Sequence, residues 1–279
     1  MSAPAVSPVR RAYCEGPYGQ VHYRIARPAC PPTLPPLLCL HQTPKSGFDY
    51  EPVMPLLAMK GRVVLAPDTP GYGGSDAPPA PIGIPDFGHA MAAFLETMRA
   101  DGVIGEGPVD VMGYHTGSVT ATDLAVTRPR LIRRLVLVSL AAYDAEERAR
   151  RLTTIERFPV PRPDASHVAE LWNLMETMHD ARIDLDWKHA SLAEHLRPGA
   201  RLPWGFRAVY EYDFIGALEK LRQPTLLLCP QDDLWDVTHR EAHRIADARL
   251  VELPGAAHGF LKLDAEAVAA RIDTFLKER

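Results

Sequence analysis

A histidine occupies the third position of a five-residue turn that begins and ends with glycine. The turn reads Gly113-Tyr114-His115-Thr116-Gly117 and lies between an apolar run and a helical pattern. This spacing is typical of the sharp strand-to-helix turn that holds one side chain above a parallel sheet as a nucleophile. Because the third residue is an imidazole and not a hydroxyl, the turn predicts where a site lies but leaves the reaction open.

Short apolar runs and helical patterns alternate on both sides of this turn. Such alternation predicts an α/β fold with a mostly parallel sheet and helices on both of its faces. Strands are predicted for residues 34–40, 62–67, 109–113, 134–140, 225–229 and 250–253, and helices for residues 49–59, 87–99, 116–126 and 264–277.

The pattern of strands stops between about residues 143 and 212. This segment is helical and charged, and it contains several large apolar side chains, among them Trp172 and Trp204. We therefore predict a core formed by residues 1–143 and 213–279, with residues 144–212 inserted as a helical cap. Most of the cap's aromatic side chains should form its own core. One or two could face the site, since pockets favour domain interfaces.

The bulk composition excludes several classes of function. The chain has 279 residues, 46% of them hydrophobic, and a formal net charge of −4. That charge argues against non-specific binding to nucleic acid or to an anionic membrane. No apolar run is long enough to span a bilayer, and residues 1–11 lack the apolar region of a secretory signal. The four cysteines show no metal-ligand spacing. We therefore expect a cytoplasmic protein, and a homodimer is compatible with the sequence.

Five motifs in chain order resemble those of the α/β-hydrolase fold in its capped form, and the resemblance covers nearly the whole chain. Residues 40–44 are similar to the family's oxyanion loop, and residues 68–75 to its Asp-x-Pro-Gly-x-Gly-x-Ser loop. Residues 113–117 match the nucleophile turn, residues 228–233 the strand end that carries the acid, and residues 254–259 the loop that carries the histidine. Two positions depart from the family pattern. Gln42 replaces the usual glycine beside His41, and His115 replaces the usual Ser, Asp or Cys.

The resemblance implies a role for a second histidine and a carboxylate. His258 matches the family's catalytic histidine, and an imidazole can take and return protons near neutral pH. Its carboxylate partner would fix the tautomer and stabilise the imidazolium. Asp233 fits the family spacing best and Asp232 is the close rival, while Asp236 and Asp144 are weaker candidates.

The resemblance also implies the residues that surround the reacting group. The backbone amides of Thr43 and Thr116 are oxyanion-hole candidates, the second because it opens a helix whose first amides have no intrahelical acceptor. The Gln42 side chain would either contact the substrate or pack against its neighbours. We also place the remaining predicted substrate-binding residues here, namely His41, Tyr114, Trp172 and Trp204.

Four interpretations of His115 remain open. In the first, His115 attacks a carbonyl directly and forms an acyl-imidazole. In the second, His115 positions a water together with His258. In the third, the two histidines perform acid–base chemistry in a lyase, isomerase or cofactor-free oxygenase. In the fourth, catalysis has been lost and the protein binds a ligand or a partner. An imidazole reaches farther than a serine hydroxyl, which favours a small substrate or attack by water.

A metal site formed by His41, His115 and His258 would have a suitable ligand type. We disfavour it, because the family keeps His41 as a structural group and the chain lacks a short-spaced ligand pair. No metal and no cofactor are therefore expected. The leading prediction is a hydrolase that acts on a carbon–oxygen or carbon–carbon bond next to a carbonyl in a small, partly apolar substrate.

Overall fold

The computed structural model describes residues 8–278, and its central feature is one eight-stranded sheet. The spatial order of strands is β1-β2-β4-β3-β5-β6-β7-β8. β1 and β2 pair antiparallel, as do β2 and β4, and the other neighbours are parallel. The strands are β1 Arg10–Gly16, β2 Gly19–Ala26, β3 Leu37–Leu40, β4 Val64–Pro67, β5 Val109–Tyr114, β6 Ile132–Val138, β7 Thr225–Pro230 and β8 Ala248–Leu253. Residues 1–7, which carry part of the secretory-signal interpretation, lie outside the described residues.

The predicted α/β architecture is confirmed, and each of the six predicted strands is present. The search for short apolar runs in the sequence did not predict β1 and β2. β1 is an edge strand with no buried residue, and the inner half of β2 alternates apolar residues with His22 and Arg24. Both polar side chains bind the buried carboxylate of Asp68. Nδ1 of His22 lies 2.8 Å from Oδ2, and Nη1 of Arg24 lies 3.0 Å from Oδ1.

Helices cover both faces of the sheet. They are α1 Met54–Ala58, α2 Ile84–Ala100, α3 Thr116–Thr127, α4 Ala145–Leu152, α5 Ser166–Met178, α6 Leu185–Leu196, α7 Trp204–Glu211, α8 Phe214–Leu218, α9 Trp235–Glu241, α10 Phe260–Leu263 and α11 Ala265–Lys277. The prediction of one helix over residues 49–59 was wrong. A 3₁₀ turn at Gly47–Tyr50 precedes the short α1, because Pro52 and Pro55 have no N–H to donate to an intrahelical bond.

The alternation of side chains along each strand divides the core into two layers. In β3, Leu38 and Leu40 pack on the side of α2 and α3, whereas Leu37 and Cys39 pack on the side of α1 and α11. All four side chains are fully buried. A central strand that is apolar on both faces is expected for a parallel sheet covered by helices on both sides.

Within the described residues, the segment between β6 and β7 contains helices and no strand. Its helix α7 lies close to the loops after β3 and β4. The amide of Gly205 donates to the hydroxyl of Tyr72, in the loop after β4, at 2.6 Å. A Cβ atom at Gly205 would come within 2.3 Å of the Thr43 hydroxyl, so a side chain there would push α7 away. The bounds of the cap, residues 144–212, stay a prediction. None of the helices at residues 8–278 is both long and apolar enough to cross a membrane.

Candidate active site

The predicted turn at His115 is formed where β5 ends and α3 begins. His115 adopts φ 49° and ψ −113°, a conformation that non-glycine residues rarely take. The two flanking glycines are required by space. A Cβ at Gly113 would lie 2.2 Å from the carbonyl oxygen of Gly117, and a Cβ at Gly117 would lie 1.9 Å from that of Leu40. Strained backbone of this kind persists only where the surrounding structure enforces it, and it is common at functional sites.

The imidazole of His115 is held by a carboxylate that the sequence analysis ranked second for a different histidine. Nε2 of His115 lies 2.9 Å from Oδ2 of Asp232. The same oxygen accepts a hydrogen bond from the Ser139 hydroxyl at 2.6 Å, and Oδ1 accepts one from the Leu234 amide at 2.9 Å. The Asp232 side chain is fully buried, so its charge is compensated entirely by these donors.

This pairing changes the protonation of both groups. Burial alone would lower the pKa of His115, but the charge of Asp232 and its hydrogen bond outweigh burial and raise that pKa. Burial alone would raise the pKa of Asp232, and the interaction with His115 lowers it. The pairing therefore stabilises the imidazolium form of His115 and the carboxylate form of Asp232.

His258 is paired with the neighbouring aspartate, as the sequence analysis preferred. Its Nε2 lies 3.0 Å from Oδ1 of Asp233. Burial would raise the pKa of Asp233, but the hydrogen bond from His258 and the charge of His115 lower it below its usual range. The ring centres of His115 and His258 are 5.0 Å apart. The structure therefore brings His115, Asp233 and His258 together.

Tyr114 lies beneath the site and does not line the cavity above it. Its hydroxyl is 3.4 Å from Nδ1 of His258 and its ring is buried. Burial and the nearby carboxylates raise the pKa of Tyr114 well above its usual value, so the hydroxyl stays protonated. Tyr114 can thus donate to His258 and orient its ring, a role different from the predicted contact with substrate.

The loop that carries His258 is joined by its backbone to the helical segment. The amide of Asp180 donates to the carbonyl oxygen of His258 at 2.9 Å, and His179 and His258 form an isolated parallel bridge. On the other side of the loop, a Cβ at Gly259 would lie 2.6 Å from the side chain of Ile183. The residues that follow α5 therefore fix the position of His258.

A small cavity of about 90 Å³ opens above the two histidines. Its walls include His115, Asp233 and His258 from the sheet side, and apolar side chains from the helical segment. The apolar part of the wall consists of Pro44, Phe158, Pro159, Leu171, Leu174, Met175, Met178, Leu202 and Phe206.

The prediction that Trp172 and Trp204 line the site was wrong. Neither residue borders this cavity, although their helices do. In α5, Leu171, Met175 and Met178 face the cavity, and Trp172 is rotated by about 100° from Leu171 around the helix axis. In α7 the cavity is lined by Phe206, two residues after Trp204. The aromatic character of the wall therefore comes from Phe158 and Phe206.

The residues predicted to form the oxyanion site differ in their contacts. Thr43 and Gln42 border the cavity, and the Gln42 side chain donates to Asp49 at 2.9 Å. The amide of Thr116 is the first of α3, where no intrahelical acceptor exists. The roles of the Thr43 and Thr116 amides as oxyanion donors stay predictions.

His41 is a structural group and does not border the cavity. Its Nε2 accepts the amide hydrogen of Thr69 at 2.9 Å, so Nδ1 carries the hydrogen that is donated to the Gln42 carbonyl at 2.9 Å. Burial lowers the pKa of His41, which keeps the ring neutral. The two weaker acid candidates lie elsewhere: Asp144 caps the start of α4, and Asp236 is in the first turn of α9.

Two histidines and two aspartates could together hold a metal ion. Each offers one ligand atom, and these four atoms all lie within 4.8 Å of one another. The residues are His115, Asp232, Asp233 and His258. Such a nitrogen and oxygen donor set suits a divalent transition ion. The ligand atoms are engaged with each other, however, since each imidazole Nε2 is hydrogen-bonded to a carboxylate. A bound ion would have to replace both hydrogen bonds.

Comparison with known proteins agrees with this architecture. Residues 35–264 match the model of the alpha/beta hydrolase fold family. The chain is 27% identical to the poly(3-hydroxyalkanoate) depolymerase of Ectopseudomonas oleovorans over 88% of its length and 86% of that protein. It is 32% identical to polyketide synthase ThaQ of Burkholderia thailandensis over 75% of its length but only 10% of that protein. The structure of the enol-lactonase from Burkholderia xenovorans superposes with a TM-score of 0.75 at 20% identity, covering 96% of this chain and all of that one.

The chain therefore belongs to the alpha/beta hydrolase fold family. Together with relatives named as hydrolases, this membership identifies it as an enzyme of the hydrolase type.

Proposed function

We propose that the protein hydrolyses a carbon–oxygen or carbon–carbon bond next to a carbonyl in a small, partly apolar substrate, with two histidines as acid and base. The observation that carries this proposal is the pair of separate His–Asp contacts, with ring centres 5.0 Å apart, in the wall of one cavity. Relatives named as a depolymerase and an enol-lactonase support a hydrolytic reaction.

His115 is the proposed acid. The carboxylate of Asp232 raises its pKa, which stabilises the imidazolium form of the ring. An imidazolium has no free lone pair and cannot attack a carbonyl, but it can donate a hydrogen bond and then a proton. This state argues against an acyl-imidazole intermediate and favours proton donation to the leaving group.

His258 is the proposed base. Its Nε2 is bound to Asp233, whose side chain borders the cavity and is half exposed. A water molecule can approach this pair without displacing a buried group. His258 takes one proton at Nδ1, where this proton replaces the hydrogen bond from Tyr114, because its Nε2 already carries the hydrogen bound to Asp233. The hydroxide adds to the carbonyl carbon, and the bond to the leaving group breaks as that group receives the proton of His115. Transfer of a proton from His258 to His115 through solvent restores the starting state.

The oxyanion formed in this step needs donors that are already in place. The amides of Thr43 and Thr116 are the candidates, because Thr43 borders the cavity and Thr116 opens α3 directly beside His115. Fixed donors of this kind commonly provide the largest single contribution to acyl-transfer catalysis.

The test is turnover of a panel of 4-nitrophenyl esters and enol lactones by the wild type, His115→Ala and His258→Ala. The exposed His89 of α2 provides the matched control, His89→Ala. We expect a loss of about 100-fold or more in kcat/KM for each site variant and none for the control. Wild-type turnover in either site variant would refute the proposal. A fluorophosphonate probe for activated serine should not label the protein, and a labelled residue would identify a different nucleophile.

A cofactor-free lyase is the second candidate, because the third position of the turn offers no hydroxyl or thiol and both His–Asp pairs can move protons. The two reactions differ in their products. Hydrolysis in H₂¹⁸O introduces one ¹⁸O atom into the product acid, whereas a lyase reaction introduces none. A ligand-binding protein without catalysis would bind members of the panel and convert none of them.

A further inference from the structure

Three basic side chains border the cavity without belonging to either His–Asp pair. They are Lys45 from the loop after β3, His179 directly after α5, and His195 in the last turn of α6. We refer to Lys45, His179 and His195 as the Lys45 cluster. The mechanism proposed above does not use any of them.

Lys45 carries a buried charge, and not all of its N–H donors are used by its counter-ion. Its side chain is 3% exposed, and Nζ lies 3.2 Å from Oδ1 of Asp49. The other oxygen of Asp49 accepts a hydrogen bond from Gln42, and Asp49 itself does not border the cavity. An ammonium group has three N–H donors. The counter-ion thus lies behind Lys45, and the remaining donors are available on the cavity side.

His179 has a buried nitrogen without a partner. Its Nδ1 makes no hydrogen bond within residues 8–278, and the residue is only 9% exposed. Its Nε2 lies 3.5 Å from the hydroxyl of Ser191 and can accept from it, which leaves the hydrogen on Nδ1. A buried donor without a partner destabilises the folded protein, and a ligand that accepts its hydrogen bond would remove this cost.

The charge of the cluster limits what it can bind. Burial and the charge of Lys45 lower the pKa of His179 to about 3 and that of His195 to about 4, so both rings are neutral near pH 7. The cluster therefore offers one cation. Asp49 already pairs with this cation, so every negative charge of a ligand is added to a buried site, and a monoanion is favoured over a dianion.

We propose that the Lys45 cluster binds a carboxylate group of the substrate, with one oxygen on Nζ of Lys45 and the other on Nδ1–H of His179. A carboxylate has two oxygens and a single charge, and it satisfies both open donors at once. The inference rests on the proposed function only in taking the ligand to be the substrate. It implies that the substrate is a carboxylic acid that also carries the bond to be cleaved.

The cluster is physically connected to the reacting groups. The bridge between His179 and His258 places the proposed anion contact and the proposed base on paired backbone segments. Phe158 and Phe206 stack at 4.3 Å and border the same cavity. A ligand with a carboxylate at one end and an aromatic body therefore matches both parts of the wall.

Equilibrium binding of phenylacetate and of its neutral analogue phenylacetamide tests the inference by calorimetry. The double variant Lys45→Met/Asp49→Asn removes cation and counter-ion together, so that no unpaired charge remains buried. Lys60→Met, at an exposed lysine, is the matched control. We expect the wild type and the control to bind phenylacetate at least about tenfold more tightly than the amide, and the double variant to lose this preference.

A wild type that binds phenylacetate no more tightly than the amide overturns the inference, and so does a preference that persists in the double variant. His179→Phe provides an independent variant if the double variant does not fold. It keeps the backbone bridge and should reduce the preference about three- to tenfold, and an unchanged preference contradicts the role of Nδ1. Because binding is measured without turnover, a failure of the proposed hydrolysis leaves this result interpretable.

Discussion

The rings of His115 and His258 lie 5.0 Å apart, and each is held by a different one of two adjacent aspartates. Asp232 is fully buried beneath the turn, whereas Asp233 is half exposed and borders the cavity. Two neighbouring imidazolium ions would repel each other. The arrangement therefore favours one charged and one neutral ring, which are the two states that a proton donor and a proton acceptor need.

The first prediction concerns pH. Because Asp232 raises the pKa of His115, the proton donor is present below that raised pKa, and kcat/KM should fall as the pH rises through it. Asp232→Asn removes the cause of the shift and should move this fall to lower pH. The measurement is a pH–rate profile, with the exposed Asp101→Asn as control. If kcat/KM falls at the same pH in the wild type and in Asp232→Asn, His115 is not the proton donor whose pKa Asp232 raises.

The second prediction concerns the close contact under the turn. A Cβ at Gly117 would lie 1.9 Å from the carbonyl oxygen of Leu40, so α3 or β3 must move in Gly117→Ala. We expect a loss of about 3 kcal/mol or more in the free energy of unfolding. Gly105→Ala is the control, since nothing lies within 4 Å of a Cβ there. Urea unfolding measures both, and equal stability of the two variants would rule out the described packing.

The third prediction concerns acid stability. The pKa of His195 is lowered to about 4, well below the value of about 6.5 expected in the unfolded chain. The unfolded state therefore binds the additional proton first, and the protein should lose stability as the pH falls from about 6.5 to 4. His195→Gln should remove about 1–3 kcal/mol of that loss. The free energy of unfolding at both pH values measures it, and an identical decrease in the variant would show that His195 does not contribute.

The fourth prediction concerns metal ions. Each Nε2 in the group His115, Asp232, Asp233 and His258 is already bound to a carboxylate. We expect activity to survive exhaustive treatment with a chelator. Added Zn²⁺ should inhibit, because it competes with the proton for the imidazole nitrogens. Activity that is lost with chelator and restored by one divalent ion would instead make the four residues a metal centre.

Continuous apolar runs in the sequence were sufficient to predict five of the six parallel strands, because strands buried on both faces are apolar throughout. The sixth, β8, is an edge strand without a buried residue, and its short apolar run was sufficient to predict it. β2 escaped this criterion, since His22 and Arg24 point inward to bind Asp68. The meeting of His115 with His258 followed from motif order, because parallel strands end at one edge of the sheet.

The partner of His115 could not be predicted in this way. Asp232 and Asp233 are consecutive, and only their local backbone decides which carboxylate points beneath the turn and which points to the cavity. The Lys45 cluster was missed for a different reason. His179 follows α5 and His195 lies in α6, and the docking of both helices depends on long-range packing, as the bridge between His179 and His258 shows. Local periodicity carries no signal for such contacts.

A double-mutant cycle on His115 and His258 tests the central claim most directly, using kcat/KM for the best ester of the panel. If the two rings act as acid and base in one reaction, each single alanine variant loses about 100-fold or more and the double variant loses little beyond that, because the groups act as a unit. Multiplicative losses in the double variant, or wild-type turnover in either single variant, would contradict the account.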